Sequence, residues 1–239
     1  GKPIVLGGSL GRTSATGDGV GIATREALRV KGIPLEGARV AIQGFGKVGY
    51  WAARACEEMG MKIVAVSDVS GGVTGFPSVS ALWDHFVANK NLAYPGADLL
   101  TNEELLHLDV DVLIPAALAD SITDVTAVDI KAKIVVEGAN GPTTPSGDAI
   151  LRDKGTLVVP DILANSGGVI VSYFEWVQDK QNYFWTADEV KTNLSSIMMR
   201  ALSEVEATSR DKNVTWRDAA LMLGVGRVAE AHKLRGLYP

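Results

Sequence analysis

The segment Gly44-Phe45-Gly46-Lys47-Val48-Gly49 spaces three glycines as G-x-G-x-x-G, a pattern whose chemistry is the holding of a diphosphate. Alone the pattern is weak, because glycine is common in turns. Its context is stronger. An apolar run, Ala38–Gln43, leads into it, a helical pattern follows, and Asp68 closes the next apolar run 24 residues after Gly44. In that setting Gly44 permits a tight turn, Gly46 lets the backbone approach a pyrophosphate, and Gly49 lets the helix pack closely on the strand. The helix N-terminus presents unpaired N–H groups and a partial positive charge to the anion. Asp68 is placed to accept hydrogen bonds from both hydroxyls of an adenosine ribose and to repel a 2′-phosphate, which favours NAD over NADP. A solvated loop aspartate is the plain alternative.

Four further segments carry polar or small residues where a crevice at the strand ends would need them. Pro115-Ala116-Ala117-Leu118 offers small residues beside which a flat ribose or ring fits. Asn140, in Gly138-Ala139-Asn140-Gly141, brings a donor and an acceptor, while Thr144 and Pro145 read as the cap and first residue of a helix. If the segment from Asn165 is helical, Asn165, Val169 and Ser172 share one face at i, i+4 and i+7. That face suits a small polar substrate, although a Ser172 hydroxyl bonded to its own helix remains open. Finally, Gly7-Gly8-Ser9-Leu10-Gly11-Arg12-Thr13-Ser14-Ala15-Thr16-Gly17 is denser in glycine than a helix cap requires. There Arg12 could hold a carboxylate and Thr16 could reach an amide.

These residues need a scaffold, and the hydrophobic pattern supplies one. Runs rich in β-branched residues at Ala38–Gln43, Lys62–Ser67, Val110–Ile114, Lys133–Glu137 and Thr156–Val159 alternate with helical patterns at Lys47–Met59, Val79–Lys90 and Ser146–Asp153. Such alternation predicts an α/β fold: a doubly wound, mostly parallel, Rossmann-like sheet buried on both faces. An amphipathic helix over Gly19–Lys31 opens the chain. After Pro160 the pattern predicts three helices, Ile162–Gln178, Ala187–Arg210 and Thr215–Leu234. The second carries Val190, Leu194, Ile197, Met198, Ala201, Leu202 and Val205 on a face that must pack on something. The expected division is a dinucleotide-binding body over residues 1–178 and C-terminal helices over 179–239.

Composition narrows the function classes. The 239 residues bury a sizeable core, with 46% hydrophobic and 21% charged residues. A formal net charge of −5 argues against a nucleic-acid surface. No apolar run approaches the roughly 20 residues that span a bilayer, and the start does not read as a signal peptide. The single cysteine, Cys56, excludes an internal disulfide, fits a reducing cytoplasm and reads as a core residue. His85, His107 and His232 lie far apart without metal-ligand spacing, so no metal site is expected.

Four segments together resemble the amino-acid dehydrogenase superfamily of glutamate, leucine, phenylalanine and valine dehydrogenases, and most closely its glutamate dehydrogenases: Gly7–Val20, Gln43–Gly49, Glu137–Pro145 and Asn165–Gln178. The resemblance extends over the whole chain, and the closing segment 227–239 resembles the family's C-terminus. It implies that Thr16 and Asn165 hold the nicotinamide carboxamide and that Phe45, Gly46, Lys47 and Val48 lie on the pyrophosphate. It places Asp68 at the adenosine ribose, and Ala116, Ala117 and Asn140 at the nicotinamide ribose. Ser172 would bond the substrate's side-chain carboxylate, with Val169 packing beside it and Arg12 near the substrate. Lys47 departs from the asparagine expected in the phosphate loop, which removes one polar contact and adds a cation.

The resemblance also implies a catalytic lysine and a proton-transferring aspartate in a preceding domain, and no segment of this chain resembles either motif. The expectation is therefore a cofactor-binding part, catalytically inactive alone, of a homo-oligomeric cytoplasmic enzyme. The complete enzyme would convert L-glutamate, NAD(P)+ and water to 2-oxoglutarate, ammonia and NAD(P)H. The alternatives are a domain of a leucine, valine or phenylalanine dehydrogenase, a non-catalytic dinucleotide-binding module, and an assembly subunit built on the apolar C-terminal helices.

Overall fold

The computed structural model describes residues 1–236, so the end of the closing segment, residues 237–239, lies outside the described residues. Within them, seven strands form one sheet: β1 (Arg39–Gln43), β2 (Lys62–Asp68), β3 (Gly71–Thr74), β4 (Asp98–Leu100), β5 (Val112–Pro115), β6 (Ile134–Val136) and β7 (Leu157–Val159). Their order is β4-β3-β2-β1-β5-β6-β7. Strands β2, β1, β5, β6 and β7 run parallel, and β3 and β4 add an antiparallel edge. The order reverses between β1 and β5. A crevice opens beyond the carboxyl ends of the strands at such a reversal.

All five strands expected from the apolar runs are present. The two antiparallel strands escape sequence reading because they carry no apolar run: β3 opens on Gly71-Gly72, and β4 leaves Asp98 and Leu99 exposed. Their pairing follows from the tight return at Asp68, which sets Asp68 opposite Gly71.

Side chains alternate across the central strands, so the sheet has a core on each face. Val40, Ile42, Val112, Ile114, Ile134 and Val136 join one cluster, whereas Ala41, Leu113 and Val135 join the other. Around them pack α1 (Ala15–Lys31), α2 (Lys47–Glu58), α3 (Val79–Asn89), α4 (Asn102–Leu106) and α5 (Pro145–Asp153). Helix α1 starts four residues earlier than its amphipathic pattern indicates. Small residues let this added turn pack, because α1 approaches α2 so closely that a Cβ on Gly17 would lie 2.4 Å from Trp51 Cβ. Thr16 therefore stands on the first turn of a helix rather than in a loop.

The chain continues as α6 (Asp161–Ala164), α7 (Gly167–Gln181), α8 (Ala187–Lys212) and α9 (Trp216–Arg235). One expected helix, Ile162–Gln178, is thus two, broken at Asn165-Ser166, and α7 runs through residue 178 to Gln181. Helix α8 begins with a reciprocal capping box between Thr186 and Glu189. Its Val190, Leu194, Met198, Leu202 and Val205 are buried against α1, α7 and α9. No described helix is long and apolar enough to cross a membrane, and no described cluster of three His, Cys, Asp or Glu side chains could hold a metal ion.

Cys56 lies on α2, fully buried, and burial pushes its thiol up to about 12. At pH 8 the nucleophilic thiolate is therefore scarce, and reagent access is blocked as well. A chromogenic disulfide reagent at pH 8 is expected to leave the native chain unlabelled and to titrate one thiol once denaturant is added. Rapid labelling of the native chain would show that Cys56 is not core.

Candidate functional site at the strand-end crevice

The glycine loop joins β1 to α2, and its geometry explains each glycine differently. Gly44 has φ 99°, and a Cβ there would stand 2.9 Å from the Ala116 backbone. At Gly49 a Cβ would stand 1.7 Å from Gly44 O, so only hydrogen fits where α2 crosses the turn. By contrast, a Cβ on Gly46 would meet nothing within 4 Å. Gly46 is the N-cap of α2, has no side-chain cap, and is exposed with Lys47 beside it. The first-turn N–H groups of α2 thus face an open approach, as a diphosphate requires.

Phe45 takes part differently from its neighbours. Its ring is 1% exposed and packs edge-on to Tyr50, Trp83 and Phe86, with centroids 6.0, 5.6 and 6.1 Å away. What Phe45 offers a ligand is backbone; its ring anchors the loop. Sequence reading missed this support because α3 supplies Trp83 and Phe86 from a distant part of the chain.

On the far side of the β1–β5 reversal, Thr16, Val48, Ala116, Ala117, Asn140, Asn165 and Val169 line one cleft of about 570 Å³, with Gly138 and Gly168 in its walls. Cleft volumes of this order suit a small molecule. A larger concavity of about 730 Å³, lined by Lys31, Lys131, Lys133 and Lys154, lies at the opposite, amino ends of the strands. Position, not size, therefore selects the site. Backbone bonds hold the cleft walls together: Ala116 N donates to Gln43 O at 2.7 Å, and Gly138 N and Ala139 N donate to Pro115 O at 3.0 and 2.9 Å.

The two asparagines meet. Asn165 Nδ2 donates to Asn140 Oδ1 at 2.7 Å. This leaves Asn140 Nδ2 as a donor and Asn165 Oδ1 as an acceptor, a pair that complements a carboxamide or ribose. Thr16 reaches the same place because Gly168 has no side chain; a Cβ there would stand 2.4 Å from Thr16 Oγ1.

Beside the glycine loop, Asp68 ends β2 next to β1, where Gly44 N donates to Ser67 O at 2.8 Å. Its Oδ1 accepts from Ser70 N at 2.8 Å and from Ser70 Oγ at 2.6 Å. Ser70 thereby orients the carboxylate, and Oδ2 has no hydrogen-bond partner among the described residues. Beneath the loop, Gln43 Oε1 and Ser67 Oγ are buried without partners, an arrangement that a polar occupant or ordered water would relieve.

Two substrate candidates are less directly placed. Ser172 Oγ donates to Gly168 O at 2.9 Å, the bond to its own helix that the sequence left open. The break at Asn165 also removes Ser172 from the continuous helical face expected with Asn165 and Val169. Arg12 is half-buried before α1, and its Nε lacks a partner. The loop carrying it is pinned to α7 by residues sequence reading did not single out: Ser9 N donates to Glu175 Oε2 at 3.1 Å, and Gln178 Nε2 to Ser9 Oγ at 2.9 Å. Their signal was a charged and an amide residue three apart on an otherwise apolar helix face.

A mostly parallel sheet of this order, with a glycine turn at the reversal and small residues at the neighbouring strand ends, defines a Rossmann-like domain. Residues 7–236 match the Glutamate/Leucine/Phenylalanine/Valine dehydrogenase family, and the chain belongs to it. It is 51% identical to a glutamate dehydrogenase of Thermotoga maritima over all of this chain and 58% of that protein. Over 99% of its length it is 44% identical to a cryptic catabolic NAD-specific glutamate dehydrogenase of Bacillus subtilis, covering 56% of that protein. Among solved structures it resembles the leucine-bound hetero-hexameric glutamate dehydrogenase of Thermus thermophilus, with TM-score 0.94 and 36% identity over the whole chain and 57% of that one. The chain therefore spans somewhat more than half the length of these relatives.

Proposed function

We propose that the chain is the cofactor-binding part of an NAD-dependent glutamate dehydrogenase, which interconverts L-glutamate, NAD+ and water with 2-oxoglutarate, ammonia and NADH. The observation that carries this reading is the meeting of Thr16, Asn140 and Asn165 in one cleft across the β1–β5 reversal from the open Gly46. In this assignment the backbone from Phe45 to Val48 receives the diphosphate and Asp68 the adenosine ribose. Ala116, Ala117 and Asn140 receive the nicotinamide ribose, and Thr16 and Asn165 the carboxamide. Val169, Arg12 and Ser172 face the substrate, with the Ser172 hydroxyl turning from Gly168 O to donate to its carboxylate.

The cofactor supplies the redox chemistry. The lysine and carboxylate that move protons are assigned to the part of the enzyme outside this span, and the C-terminal helices, residues 179–239, to the hinge between the two parts. NAD is favoured over NADP by the unpaired Asp68 Oδ2 and by the NAD specificity of the Bacillus relative. The glutamate dehydrogenases among the relatives favour this substrate over leucine, valine or phenylalanine. The complete enzyme is read as a cytoplasmic oligomer, the latter in line with the hexameric structural relative.

Titrating the chain into NADH and following nicotinamide fluorescence tests the reading. Saturable enhancement is expected, with NAD+ competing better than NADP+ and no glutamate turnover by the chain alone. Absence of any NADH binding would overturn it.

A further inference from the structure

The glycine and asparagine segments account for the cleft's surface but not for what holds the Asn140 loop in place. Glu137 follows the apolar strand β6 directly, and its side chain is 0% exposed. A lone buried carboxylate is strongly disfavoured, so its partners matter. One lies 80 residues away: Arg217, on the first turn of α9, donates through Nη2 to Glu137 Oε1 at 2.7 Å. The same guanidinium donates from Nε and Nη2 to Asp148 Oδ1 at 3.1 and 3.0 Å. Burial alone would lower the Arg217 pKa, but the hydrogen bonds and charges of Glu137 and Asp148 outweigh it and hold the pKa above its ordinary value.

From Glu137 the contacts lead directly to the cleft. Its other oxygen, Oε2, accepts from Asp161 N at 2.8 Å, at the start of α6. Asp161 Oδ2 in turn accepts from Gly141 N at 2.7 Å, the residue after Asn140, and Gly141 O accepts from Asp120 N at 2.9 Å. Helix α6 itself ends at Asn165. Both asparagines of the cleft are thus flanked by backbone that the Arg217–Glu137 pair fixes. The phosphate loop and Asp68 take no part in this chain of contacts.

We infer that Arg217 is a positioning residue: through Glu137 and Asp161 it sets the Asn140–Asn165 pair for the nicotinamide half of the cofactor, coupling α9 to that half alone. The inference rests on the dinucleotide reading above, and it predicts a selective defect. Arg217→Met leaves the buried Glu137 without its cationic partner and should raise the NADH dissociation constant about tenfold. ADP, which carries only the adenosine and diphosphate, should bind within about twofold of wild type. Arg217→Lys restores the charge and should recover part of the loss. Asp161→Ala removes the acceptor of Gly141 N together with the Ile162 N bond and the 3.9 Å contact to Arg217 Nη1; it leaves the Arg217–Glu137 bond in place and should show the same selectivity even if Arg217→Met fails to fold.

The test is parallel titration of all four proteins with NADH and with ADP, the folded state being checked by circular dichroism. Loss of NADH affinity with ADP binding retained supports the inference. Equal loss of both ligands in Asp161→Ala, or unchanged NADH binding in it, overturns the inference while the dinucleotide reading stands. A wild-type chain that binds neither probe overturns both.

Discussion

Gly49→Ala is expected to weaken NADH binding by at least about 100-fold, equivalent to roughly 2.7 kcal/mol. The new Cβ would lie 1.7 Å from Gly44 O, where no carbon can sit, and the opposing atom is backbone rather than a side-chain end. Neither side can yield cheaply. Gly44 N is bonded to Ser67 O at 2.8 Å, and the side of Gly44 where a Cβ would stand is closed by the Ala116 backbone 2.9 Å away. Helix α2 must therefore withdraw from the turn, carrying its N-terminal N–H groups away from the diphosphate. Overpacking of this kind costs about 1–3 kcal/mol of stability. In a chain of this size each kcal/mol lowers the melting temperature by roughly 2–4 °C.

Gly46→Ala supplies the contrast. Its Cβ meets nothing within 4 Å and its φ of −83° suits alanine, so the melting temperature should hold. NADH affinity should nevertheless fall, because the methyl group occupies the approach to the loop. Calorimetry and NADH titration of both variants separate the roles. If Gly46→Ala binds NADH as well as wild type does, the diphosphate does not rest on that loop.

Asp68→Ala should cost NADH about 10- to 100-fold in affinity, or roughly 1.4–2.7 kcal/mol, while NADPH binding stays level or improves. A hydrogen bond to a charged group contributes about 1.5–3 kcal/mol, and Asp68 Oδ2 has no hydrogen-bond partner within the described chain to compete with a ribose. Ser70 holds the other oxygen, so the carboxylate is oriented before ligand arrives. A 2′-phosphate at the same place would meet a fixed negative charge, and removing that charge relieves the repulsion. Paired titrations with NADH and NADPH at one ionic strength check this, because salt screens such repulsion. An equal loss for both cofactors would remove Asp68 from the ribose.

Much of the scaffold for these effects was legible in the residues. Five buried strands announced themselves because a strand covered on both faces must be apolar throughout, as Val112-Leu113-Ile114 is. The turn at Gly44–Gly49 was legible for a local reason: its three glycines, and the contact between Gly49 and Gly44 O, fall within six consecutive residues. Less legible were β3 and β4, whose pairing depends on the neighbouring strand rather than on their own side chains. The break between α6 and α7 was hidden because Asn165-Ser166-Gly167-Gly168 carries no proline. The helical face drawn through Asn165 and Ser172 failed at that point.

Chemistry at the crevice divides along the same line. From its own residue order the chain specified the strands, the glycine turn and the small and amide residues at successive strand ends, because those are written in local residue types and their spacing. Only the folded structure brought Asn140 to Asn165, Thr16 to Gly168 and Arg217 to Glu137. Those pairings span 25, 152 and 80 residues. Which distant side chains meet is decided by how the helices pack across the sheet, and hydrophobic periodicity records only that a face is buried, not what it is buried against.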